Sequence, residues 1–103
     1  MKLPKKVLIA GKYWKVRTDK TTNGGSFRGD LAEMTIGTQY PQDVLETFLH
    51  EVIEATLMER HCRFYLYSAE GNESYRFFFN HEEFDHVVRD LSVTLQNLMG
   101  GKK

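Results

Sequence analysis

Thr47-Phe48-Leu49-His50-Glu51-Val52-Ile53-Glu54-Ala55-Thr56-Leu57 decides the fold, because its apolar residues recur three and four apart, the period of a helix with one buried side. Extended in both directions, the pattern predicts a helix from about Val44 to about Arg60. Pro41 stops whatever precedes it and Asp43 is placed to cap it. Val44, Leu45, Phe48, Leu49, Val52, Ile53 and Thr56 make the side expected to be buried. At about 100° per residue, His50, Glu54, Leu57 and His61 fall on a separate line on roughly the opposite side. His50 and Glu54 stand one turn apart on that line and can reach a common point. An imidazole and a carboxylate aimed together suggest a metal. The same pair also fits a plain surface hydrogen bond worth about 0.2–0.5 kcal/mol.

Upstream, Val7 to Ala10 and Tyr13 to Arg17 flank Gly11-Lys12 and have the β-branched and aromatic content of two short strands or one bent strand around a turn. Thr18 to Arg28 contains Thr21-Thr22-Asn23-Gly24-Gly25-Ser26 and is expected to be a surface loop. Leu31 to Gly37 alternates apolar and polar residues, as a half-buried strand does. Downstream, Arg63 to Tyr67 and Tyr75 to Phe79 are aromatic-rich runs joined by a polar, glycine-containing loop, a predicted hairpin whose aromatics belong to the core. Asn80 then caps a second helix from about His81 to about Met99, with Glu82 and Glu83 in its first turn. Its apolar line is Phe84, Val87, Val88, Leu91, Leu95 and Leu98. The expectation is α+β: a small, mostly antiparallel sheet packed on two main helices.

With 103 residues, 41% hydrophobic and 13% aromatic, the chain reads as one domain spanning 1–103, with the basic N-terminal tip and the Gly100-Gly101-Lys102-Lys103 tail flexible. Fourteen basic and fourteen acidic side chains cancel, which argues against nucleic acid or an anionic membrane surface as partner. Arg63 and Arg76 are too few to make the aromatic runs a stacking platform for nucleotides. Cys62 is the only cysteine, excluding an internal disulfide and a cysteine-based zinc site. The apolar run after the basic tip is too short for a signal peptide, so a cytoplasmic location is expected.

His50-Glu51-x-x-Glu54 resembles the His-Glu-x-x-His signature of the zincin metallopeptidases, with Glu54 in the place of the second histidine. Phe48-Leu49-His50-Glu51-Val52-Ile53-Glu54-Ala55 is most similar to the small zincin-like domains of bacteria and phages. The resemblance implies a zincin-like fold, a zinc ion held by His50, Glu54 and a third ligand from the later helix, and Glu51 as the base that takes a proton from metal-bound water. Two histidines and one carboxylate are an established zinc ligand set. The resemblance also implies a peptide or protein substrate, laid extended along an edge strand, for which Leu31 to Gly37 is the expected segment.

For the third ligand His81 is the favoured candidate, about 60° from the centre of the second helix's apolar line. His61 lies about 10 Å of helix rise beyond Glu54 and would need a bend after Glu59. Asp85, His86 and Asp90 are further alternatives. Two functions follow: a zinc-dependent peptidase, or a non-catalytic zincin-like module that binds other proteins.

Overall fold

Val7, Ile9, Trp14, Val16, Met34 and Ile36 occupy alternate positions of three extended segments, and alternation sends all six to one face of a sheet. The computed structural model describes residues 2–67 and 73–100, with residues 64–67 and 73–76 described by their backbone alone. In it β1 (Lys6–Ile9), β2 (Lys12–Asp19), β3 (Gly25–Arg28) and β4 (Glu33–Gly37) form a sheet in the order β1-β2-β4-β3. β1 and β2 make an antiparallel hairpin through Ala10 and Gly11, both at positive φ, as a two-residue turn of that twist requires. β2 and β4 are parallel, and β3 returns antiparallel to β4 on the outside.

The helices α1 (Val44–Glu59) and α2 (His81–Leu98) cover the apolar face. Val44, Phe48, Val52 and Ala55 of α1 complete the core with the sheet residues. Between the helices, β5 (Arg63–Tyr67) and β6 (Glu73–Phe77) form a separate antiparallel hairpin. The architecture is α+β, as expected, with a mixed four-stranded sheet. No helix among the described residues is long and apolar enough to cross a membrane.

Several expectations change. The stretch read as a loop from Thr18 to Arg28 contains the end of β2 and all of β3. The connection holds because Gly37 leaves room for it: a Cβ there would lie 2.4 Å from the Thr22 carbonyl oxygen and 2.7 Å from that of Gly24. The Gly37 amide instead donates to the Gly24 carbonyl at 2.7 Å. Glu33–Gly37 is consequently an inner strand, and among the described residues the two edges of the sheet are β3 and β1.

The buried side of α1 is also rotated from the predicted one. Glu51 is buried beside Val44, Phe48, Val52, Ala55 and Thr56, while Leu45, Leu49 and Ile53 are exposed. The sheet covers α1 from the Glu51 side, while Leu45 and Leu49 line an open groove together with Leu95 and Leu98 of α2. Asp43 lies in a short 3-10 turn (Pro41–Asp43) and makes no side-chain cap bond. Asn80 does cap α2: its side chain accepts from the Glu83 amide at 2.9 Å and its own amide donates to Glu83 Oε1 at 3.0 Å.

On α2 the residues that bury are Val87, Asp90 and Thr94, with Phe84, Val88 and Leu95 exposed. Thr94 donates its hydroxyl to the Leu8 carbonyl and fixes α2 on β1. Asp90 accepts from Arg60 Nη2 at 2.7 Å and from Arg60 Nε, tying α2 to the end of α1. Phe77, Phe78 and Phe79 are exposed rather than core. The aromatic side chains at Phe64, Tyr65, Tyr67 and Tyr75, and the Gly101-Lys102-Lys103 end of the tail, lie outside what is described.

Candidate functional site

β3 crosses α1 at Thr47 and Glu51. The approach is so close that a Cβ on Gly25 would lie 3.0 Å from Glu51 Cγ and 3.0 Å from Thr47 Cγ2. Glycine is the residue that lets the edge strand rest on the helix. Beside this crossing a cleft of about 430 Å³ opens, lined by Asn23, Gly24 and Gly25 from the sheet side and by Asp43, Glu46, Thr47, His50 and Glu51 from the helix side.

Glu51 is 5% exposed. Among the described residues it has no hydrogen bond or ion pair. Burial pushes its carboxyl above the ordinary glutamate value of 4.5; the His50 imidazole and the Arg63 guanidinium pull it back, and the Glu54 carboxylate adds to the rise. Such a carboxyl, mostly covered and opening only to the floor of the cleft, is a group placed to exchange a proton or to receive a partner.

His50 and Glu54 are brought together. His50 Nε2 lies 3.2 Å from Glu54 Oε1, with the imidazole mostly in solvent and the carboxylate largely covered. The other carboxylate oxygen, Glu54 Oε2, lies 3.6 Å from Arg63 Nη1 at the start of β5, and the Arg63 guanidinium sits over the Phe27 ring of β3 at 5.1 Å. Helix, hairpin and edge strand therefore meet around Glu54.

His81 is elsewhere. It is exposed and its Nδ1 lies 3.3 Å from Asp85 Oδ2 on its own helix. Leu45 and Leu49 share a groove with Leu95 and Leu98, and Arg60 meets Asp90, so the two helices run antiparallel. His81 precedes Asp90 by about 13 Å of helix rise and His50 precedes Arg60 by about 15 Å, in opposite directions. The Arg60–Asp90 contact thus stands between His81 and the His50–Glu54 pair. Asp85 is paired with His81, Asp90 is held by Arg60, and His86 is half-buried on α2.

His61 is exposed at φ 61°. The bend after Glu59 is made by this histidine: the Cys62 amide donates to Leu57 O at 2.8 Å and the His61 amide to Met58 O at 3.0 Å, closing α1 with a left-handed residue just past its end. Cys62 is fully buried, and burial raises its thiol, so it is not an activated nucleophile.

The donor types at His50 and Glu54 suit zinc, but the set is incomplete. The described residues include no group of three or more His, Cys, Asp or Glu side chains that could hold a metal ion. No family model matches the chain, and neither does any curated protein or solved structure. Sequence reasoning singled out His50, Glu51 and Glu54 but missed Gly25, Thr47 and the burial of Glu51. The available sign was Gly24-Gly25 ahead of Ser26-Phe27, two residues without side chains leading into a strand.

Proposed function

We propose that the chain is a zincin-like peptide-binding domain in which an extended polypeptide adds to the free edge of β3 and passes over His50 and Glu51. The observation that carries this reading is the position of β3: it ends the sheet order among the described residues and lies directly on the cleft. The hydrogen-bond pattern supplies the register. Gly37 donates to Gly24, so in an antiparallel pair the alternating partners Ser26–Thr35 and Arg28–Glu33 bond to each other, while Gly25 and Phe27 direct N–H and C=O outward. Main-chain bonds from these two residues provide affinity with little demand on sequence.

The test is a titration of short extended peptides into ¹⁵N-labelled protein. Shifts concentrated at the Gly25 and Phe27 amides support the reading, and N-methylation of alternate peptide residues removes them. Shifts confined to the exposed residues of α2 count against it. Balanced charge is consistent with a polypeptide rather than nucleic acid as partner, and the single buried thiol of Cys62 suits a cytoplasmic setting, the host's for a phage protein.

A metallopeptidase reading of the same cleft is favoured by one observation, the placement of buried Glu51 directly beside the His50–Glu54 pair. It requires a zinc donor in addition to those two. Metal analysis decides: one equivalent of zinc in the wild type, lost in both His50→Ala and Glu54→Ala, together with peptide hydrolysis abolished by Glu51→Gln, would establish the enzyme. Sub-stoichiometric zinc unaffected by His50→Ala leaves the binding module.

A further inference from the structure

Three carboxylates line the cleft, Asp43 and Glu46 at its rim and Glu51 at its floor, and none of the side chains lining it is a lysine or an arginine. Carboxylates gathered on a surface are commonplace; the floor of this cleft is not. Glu51 is more than nine-tenths buried and, among the described residues, accepts no hydrogen bond. A carboxyl so covered keeps only a small opening to water, on the cleft side, and receives no protein donor from the described residues in exchange. Arg63, whose guanidinium acts on Glu51 at longer range, lies against Glu54 and over the Phe27 ring. His50 is the one basic group in the lining, and its Nε2 lies 3.2 Å from Glu54.

We infer that the cleft selects a cationic side chain, a lysine or arginine of the bound polypeptide, which crosses the acidic rim and ends on the Glu51 carboxylate. This rests on the peptide reading above and adds the chemistry of its recognition. The strand geometry agrees. Gly25 directs its N–H and C=O outward, toward the place of an added strand, and its side-chain position faces Glu51, where an added Cβ would lie 3.0 Å from Cγ. A side chain projecting from the added strand toward the helix reaches the same floor. Asn23 and the rim carboxylates Asp43 and Glu46 would contact the methylene stem and steer the charge inward.

The experiment compares matched extended peptides carrying lysine, norleucine or glutamate at each position in turn, alongside n-butylammonium chloride and magnesium chloride alone, all titrated into the full chain. Lysine is expected to bind roughly tenfold tighter than norleucine, the scale of one charge-assisted hydrogen bond. Glu51→Gln should abolish that preference, bringing the lysine and norleucine affinities together. Glu46→Gln, at an exposed position that cannot disturb the core, should reduce it partially. Equal affinity for lysine and norleucine overturns the inference and leaves peptide addition intact. If no peptide binds but n-butylammonium shifts the Gly25 and Glu51 amides in the wild type and not in Glu51→Gln, the cation site stands and the peptide reading falls. A response to magnesium without any response to the amine overturns the inference.

Discussion

Each helix buries one acid side chain, Glu51 on α1 and Asp90 on α2, and the two are treated in opposite ways. Asp90, 8% exposed, receives two N–H groups of Arg60. Glu51, 5% exposed, receives none among the described residues. The first is what a chain does with a carboxylate that serves structure: the charge is matched by a planar fork, and the pair pins α2 to the end of α1. The second is a cost that the fold sustains at the floor of a cleft, where an external group can offset it. Burial alone does not distinguish a functional acid from a structural one; the partner does.

The largest effect should come from removing the cover over Glu51. Gly37→Ala places a methyl against two carbonyl oxygens of the β2–β3 connection and is expected to cost about 3 kcal/mol, the upper range for overpacking. Urea unfolding measures the loss. In the folded fraction, hydrogen exchange should reveal β3 released while the β1–β2 hairpin stays protected. Next comes the structural acid. Arg60→Met strands Asp90, and because the guanidinium is partly in solvent the loss should be about 2 kcal/mol, below that for a fully buried pair.

Glu51→Gln should have the opposite sign, raising stability by about 1 kcal/mol near neutral pH. Its dependence on pH follows from the raised carboxyl. The folded chain holds that proton more tightly than the unfolded chain, so Glu51's contribution is fully present below the ordinary value of 4.5 and is lost as pH rises through the raised one. The stability gap between Glu51→Gln and wild type should therefore widen upward from pH 4.5 and then level off. A gap that is level above pH 4.5 and changes below it would mean that the Glu51 carboxylate has a stabilising partner in the folded chain. The smallest change is His61→Gly, which relieves a left-handed histidine at the end of α1. It should raise the urea midpoint by the equivalent of about 0.5–1 kcal/mol.

Much of the architecture was legible because it rests on periodicity. The alternation in Val7/Ile9 and Met34/Ile36, the helical spacing through Val44, Phe48 and Val52, and the Asn80–Glu83 cap are local patterns with local causes. The errors arose where a distant backbone decides. Around Gly25 the glycine pair ahead of Ser26-Phe27 is a faint sign that turn composition masks; the strand forms because Gly37, twelve residues on, lets the connection pass. The rotation of α1 was illegible for a related reason: Leu45, Leu49 and Ile53 are as apolar as a core face needs, yet the sheet covers the side that carries Glu51. At the candidate site, the convergence of His50 with Glu54 follows from helical spacing alone. The position of His81 depended on where α2 docks, and Thr94 and Asp90, neither of them apolar, set that.

The most direct measurement is an NMR titration of the Glu51 side-chain carboxyl carbon, identified by its disappearance in Glu51→Gln. The account predicts a midpoint above the ordinary 4.5 that moves down when n-butylammonium is added, as a cation takes up the vacant contact. A midpoint at or below 4.5 that ignores the amine would contradict it.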